Sequence, residues 1–104
     1  MSVTVSLPSV ECRSLIYSRH AIERMLERRI DPSEVRAVVE QHEIVEEDPT
    51  DRPYPSYLLL AMVGGRALHV VLGYDSASRT GYVVTTYVPE PEYWNPDWKT
   101  RRPR

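Results

Sequence analysis

His20, Arg24 and Arg28 stand four residues apart in the stretch Tyr17–Ile30, YSRHAIERMLERRI. On a helix each step of four advances only about 40° around the axis, so a titratable ring and two guanidiniums share one stripe roughly 12 Å long. Such a stripe suits a phosphate, because an imidazole can move a proton and guanidiniums can hold charge on oxygen. It equally suits a solvated face, whose like charges at Arg24 and Arg28 would take an anion from the acidic run at 46–51. A second histidine, His69, stands in the β-type run Ala67-Leu68-His69-Val70-Val71 and shares a face with Ala67 and Val71. It is either a satisfied, partly buried ring or a proton-transfer group. Thr85, Thr86 and Tyr87 follow in the last β-type run, and alternation turns Thr86 away from the other two.

Other chemistries find no support. His20, His42 and His69 are far apart, and no Cys pair or HxxxH spacing suggests a metal site. There is no GxGxxG, no P-loop and no GxSxG, so no cofactor is expected. The lone Cys12 cannot form an intramolecular disulfide and reads as a passive thiol in a reducing cytoplasm. No apolar run approaches the roughly 20 residues that span a bilayer, and the first ten residues lack the pattern of a secretory signal, so no membrane partner is expected.

The net charge of −2 is unevenly placed. Glu40–Asp51 holds six acids and no Lys or Arg; setting that −6 aside leaves +4 on the rest. The helix 19–30 carries four Arg against two Glu, and Asp97–Arg104 four cations against one acid, so a local basic face is compatible with the sum.

These residues need elements to hold them. Ser18 is an N-cap for a helix over 19–30, with Ile22, Met25, Leu26 and Ile30 as its apolar side. Asp31-Pro32-Ser33-Glu34 starts a second helix, 32–41, with a capping acid, proline at the first helical position and a closing glutamate. Strands follow near 43–47, 57–63, 66–73 and 81–88, with a hairpin turn at Gly64-Gly65. The chain is expected to be α+β: two N-terminal helices packed on one face of a three- to four-stranded antiparallel sheet. Residues 1–14 are read as an N-terminal arm, loose or an edge strand over 1–11, with a short extended entry at Cys12–Tyr17 that puts Leu15 and Tyr17 on one face. Residues 15–90 are read as the single domain, and 91–104 as a tail whose Trp94 and Trp98 pack back on the body in preference to forming a base-stacking surface. The expected common core is Ile22, Leu26, Val35, Val38, Val39, Leu58, Leu60, Val70 and Leu72. The basic end, Lys99 to Arg104, is read as frayed and solvated.

Ser18-x-His20-Ala21 with Arg24, Arg28 and Ile30, then Leu68-His69-Val70-Val71, Thr85-Thr86-Tyr87 and the Pro-rich ending with Trp94 and residues 99–102, resemble domain-of-unknown-function family 4258. The likeness runs over about residues 15–102, with Arg29 where the pattern implies a glycine. It implies a fold similar to RelE-like and barnase-like endoribonuclease toxins, often encoded beside an antitoxin. The expectation is a toxin-like, metal-independent endoribonuclease, with His20, Arg24 and His69 catalytic and Arg28, Thr86 and Tyr87 binding phosphate. RNA and an antitoxin-like protein are the expected partners; the oligomeric state is open. The alternative is a non-catalytic protein-interaction module. If it is an enzyme, His20, Arg24 and His69 should converge in one cleft.

Overall fold

The computed structural model describes residues 10–103, so most of the expected N-terminal arm lies outside the described residues. The elements are β1 (Ser14–Tyr17), α1 (Arg19–Arg28), α2 (Pro32–Gln41), β2 (Glu43–Asp48), β3 (Ser56–Val63), β4 (Arg66–Asp75) and β5 (Thr80–Tyr87). They form an α+β fold on a five-stranded sheet of order β1-β5-β4-β3-β2. β2 to β5 make the expected antiparallel meander. The sheet as a whole is mixed, because Ser14–Tyr17 pairs in parallel with Thr80–Val83 and precedes both helices. The extended entry and its face, Leu15 and Tyr17, are as the sequence indicates; the parallel partner lies far along the chain and no local pattern names it.

The local signals behave as their chemistry requires. Gly64 and Gly65 turn the β3–β4 hairpin at φ of 59° and 83°, values cheap only without a Cβ. The Ser18 hydroxyl accepts the Ala21 N–H at 2.9 Å, and the Glu34 carboxylate accepts the Asp31 N–H at 3.0 Å. The same carboxylate receives Arg66 at 3.0 Å across the molecule. The Asp31 amide, first, and then Arg66 hold the Glu34 carboxyl below its usual range.

α1 stops at Arg29, which adopts the left-handed conformation (φ 53°, ψ 47°), while the Ile30 N–H returns to the Met25 carbonyl at 2.9 Å. This is the position at which helices favour glycine. Arg29→Gly is therefore expected to raise stability by about 0.5–1 kcal/mol. A denaturant midpoint that stays put or falls would show that the arginine is not strained there.

The two faces of the sheet have different covers. Leu59, Ala61, Leu68, Val70, Leu72 and Val83 point to the helical layer and pack with Met25, Ile30, Val35, Val38 and Val39. Leu58, Leu60, Ala67 and His69 are also buried, but they alternate with the first set and face the other way. The expected common core is thus two cores back to back. α1 is also rotated from the expected orientation: Ala21 and Met25 face inward, while Ile22 is 48% and Leu26 75% exposed. The cause is polar. Past the end of β1, the outer edge of β5 leaves the carbonyls of Val84 and Thr86 open. The Ser18 hydroxyl reaches the first at 3.3 Å and the Arg28 guanidinium the second at 2.8 Å. Bringing Arg28 to that edge turns Leu26 to solvent.

Candidate functional site

The second face is covered by the chain beyond β5. The backbone turns at Glu90, whose carbonyl accepts the N–H groups of Tyr93 (3.0 Å) and Trp94 (3.1 Å). Trp94 then pairs with Arg101 in an isolated antiparallel bridge. The loop between them closes on Asp97, whose carboxylate accepts the amides of Lys99 (2.9 Å) and Thr100 (3.0 Å) and the Thr100 hydroxyl (2.8 Å). Those bonds, the Lys99 amide foremost, pull its pKa down. Two ion pairs tie the segment to β2, Lys99–Glu43 at 2.9 Å and Arg101–Glu46 at 2.8 Å. Lys99 and Arg101 are therefore not the frayed, solvated residues expected. Part of the acidic run expected to serve Arg24 or Arg28 is instead bound to these tail cations.

His69 lies under this segment, fully buried. Its Nε2 is 2.7 Å from the Trp98 carbonyl, which can only accept, so Nε2 carries the proton. Nδ1, 3.2 Å from the Tyr87 hydroxyl, therefore accepts from it. Trp94 meets the ring edge-on at 4.6 Å and Tyr87 does so at 5.2 Å. Burial pushes the imidazole pKa down, and the Trp98 carbonyl offsets this in part. This is a neutral ring with both nitrogens spoken for.

The remaining expected site residues do not converge on it. His20 is exposed on α1, in the layer on the opposite side of the sheet, so His20 and His69 form no acid–base pair. Arg24 is bound to Glu27 one turn along its own helix. Thr86 is fully buried and gives its hydroxyl to the His69 carbonyl at 2.8 Å, out of a phosphate's reach. His42, like His69, uses both nitrogens, donating to the Val39 carbonyl and accepting the Val10 N–H.

What does converge is a cleft at the end of β5, in two adjoining lobes. Arg28, Tyr87, Glu90, Tyr93 and Trp94 line one, about 460 Å³ in volume. Tyr87, Tyr93, Trp94, Glu92, Arg101 and Arg102 line the other, about 400 Å³. Of the expected site residues only Arg28 and Tyr87 belong here. Burial raises the Tyr87 pKa, so it stays a neutral phenol. Arg101 lies 4.6 Å over the Trp94 ring. Arg102 is steered by its Nε, which donates to the carbonyls of Pro91 and Trp94. Neither Arg28 nor Arg102 has a carboxylate within ion-pair distance among the described residues. Such a cleft can stack a planar ring on Tyr93, which is 48% exposed, and place guanidiniums beside an anion.

A family model described as "Domain of unknown function (DUF4258)" matches residues 17–88. The chain belongs to this family. No curated protein and no solved structure matches it. The DUF4258 match includes Arg28 and Tyr87 but ends before Glu90, Tyr93, Trp94, Arg101 and Arg102, which complete the cleft. No helix among the described residues of this DUF4258 protein is long and apolar enough to cross a membrane. From the sequence, Tyr93 and Trp94 read as packing in preference to a stacking surface, and residues 99–104 as a solvated end. Their signal was aromatics followed closely by cations, which marks a stacking surface as readily as a terminus.

Proposed function

We propose that this DUF4258 protein acts on RNA as a toxin-like endoribonuclease, RelE-like in kind, that needs no metal, and that a single strand docks in the cleft at the end of β5. The observation that carries the reading is the meeting in one cleft of an exposed tyrosine with the guanidiniums of Arg28 and Arg102, neither of which has a carboxylate at ion-pair distance among the described residues. Stacking on aromatic rings with cations along the backbone is the chemistry of single-strand binding. Cleavage by the 2′-hydroxyl needs its proton removed, a proton delivered to the leaving 5′-oxygen, and charge held on the phosphorane. Arg28 serves the last need in the cleft. The expected convergence of His20, Arg24 and His69 is not met, since Arg24 is bound to Glu27 and His69 is buried in the other layer. Cleavage therefore requires His20 to move the protons from outside the cleft. His69 has no such part; it holds Tyr87.

The test is purified full-length chain with single-stranded RNA and a chelator, alongside growth on induced expression. Binding at low salt should weaken steeply as salt rises. Arg28→Ala should lower affinity roughly tenfold, and Arg36→Ala, on α2, far less. No binding, cleavage or toxicity would reject the RNA reading. The alternative, a protein-interaction module of toxin–antitoxin type, draws on Ile22 and Leu26, exposed one turn apart on α1.

A further inference from the structure

Ahead of β1, Val10 to Arg13 form a strap that crosses from the end of α2 to the sheet, held at three points. The Val10 N–H donates at 3.0 Å to Nε2 of His42, the residue that ends α2. The Glu11 carbonyl accepts the Tyr74 hydroxyl from β4, and the Arg13 N–H donates at 2.8 Å to the Arg79 carbonyl, just before β5. Val10 is 2% exposed and packs in the core with Val35, Val38 and Val39 of α2. It is a buried plug whose amide has a ring nitrogen for its partner.

That nitrogen is the bare one. His42 Nδ1 lies 2.7 Å from the Val39 carbonyl, which can only accept, so Nδ1 carries the proton of the neutral ring. His69 has the opposite tautomer. Imidazole is the side chain that changes charge between about pH 5 and 8. A second proton can go only to Nε2, where it turns the acceptor of the Val10 N–H into a donor facing a donor. A buried N–H without an acceptor is costly, and water reaches it only if Val10 moves.

The other two anchors do not change over that range. One is backbone to backbone, and burial raises the Tyr74 pKa, so its phenol stays neutral. Glu11 and Cys12 from the strap and Arg36 and Glu40 from α2 share a depression of about 430 Å³ with His42. Its two carboxylates attract a proton to the ring and Arg36 repels one. Burial raises the Cys12 pKa, partly offset by Arg36, so the thiol stays neutral. Glu43, which follows His42 on β2, is held by Lys99 at 2.9 Å.

We propose that His42 is a pH-sensitive latch: a proton on Nε2 releases the Val10 amide, and Val10 leaves the core by pivoting on the Glu11 and Arg13 anchors. Acid then opens the strap end of the core while β1 stays paired with β5.

The experiment is NMR of the isotope-labelled full chain from about pH 7.5 to about pH 5, the range in which histidines titrate. At the neutral end, the His42 ring should be protonated at Nδ1 and bare at Nε2. As pH falls, the Nε2, Val10 amide and Val10 methyl signals should move with one midpoint. Corrected for the intrinsic effect of pH on exchange, the protection of the Val10 amide should fall about tenfold or more. The Ser18 amide, bound to the Val83 carbonyl at 3.1 Å, should keep its protection throughout. His42→Gln supplies an acceptor that does not titrate, so Val10 should stay protected at the acid end. His42→Ala should leave it unprotected at both ends. A protonated His42 with Val10 still protected would overturn the latch. So would a loss of Val10 protection of equal size in His42→Gln, which would assign the acid response to another group.

Discussion

Replacing His69 by alanine is expected to destabilise the fold by about 2–5 kcal/mol. The substitution opens a cavity between two aromatic rings and strands two polar groups, the Trp98 carbonyl and the Tyr87 hydroxyl, without partners. The catalytic role that the family resemblance implies would have the reverse outcome, a ring that can be removed with the fold intact. Urea unfolding at constant m distinguishes the two; a loss under about 0.5 kcal/mol would mean the ring carries little of the structure. Titration gives a second readout. Burial lowers the His69 pKa in the folded state, so the unfolded chain takes up its proton first. The stabilising contribution is therefore complete above about pH 6.5, the ordinary histidine value, and is lost as pH falls from there towards the depressed folded pKa. His69→Ala should remove that part of the acid sensitivity.

Trp94→Ala should cost a comparable amount, about 3–5 kcal/mol for a large buried aromatic. Trp94 is 3% exposed, covers His69 at 4.6 Å and carries Arg101 over its ring, so its loss unseats the turn, the Trp94–Arg101 bridge and the cleft wall together. Because it shares contacts with His69, the double variant should lose less than the two singles combined. Full additivity in that cycle would show that tail and ring act independently.

How much of this was legible follows the range of each interaction. Ser18, Asp31-Pro32 and Gly64-Gly65 act within three or four residues, and all three mark the boundaries where they were expected. The period-two pattern of β4 placed His69 opposite Val70, as observed. The orientation of α1 was not legible. Leu26 outweighs Ala21 in any hydrophobic count, yet Ala21 and Arg28 are what the open edge of β5 selects, and that edge is made by residues some sixty positions away. The parallel docking of β1 and the folding-back of the tail are likewise set by distant partners. Arg29 was legible in one respect: its place at a glycine-favouring position coincides with its left-handed backbone.

The parallel pairing of β1 with β5 also dictates an order of assembly. Ser14 lies opposite Thr80, and the Trp98 carbonyl that satisfies His69 comes later still. A ribosome adding about 5–20 residues per second emits the α2 and β2–β4 segments well before either partner. The β3–β4 hairpin can pair early, since its closure spans two glycines. During that interval β4 has an unpaired edge and the face bearing Leu58, Leu60 and His69 is uncovered, the condition in which strands associate with the wrong neighbour. The segment beyond β5, made after every strand, is thus the one that ends the exposure. A nascent chain halted just after β5 would have its strands complete while one face of its sheet still lacked its cover.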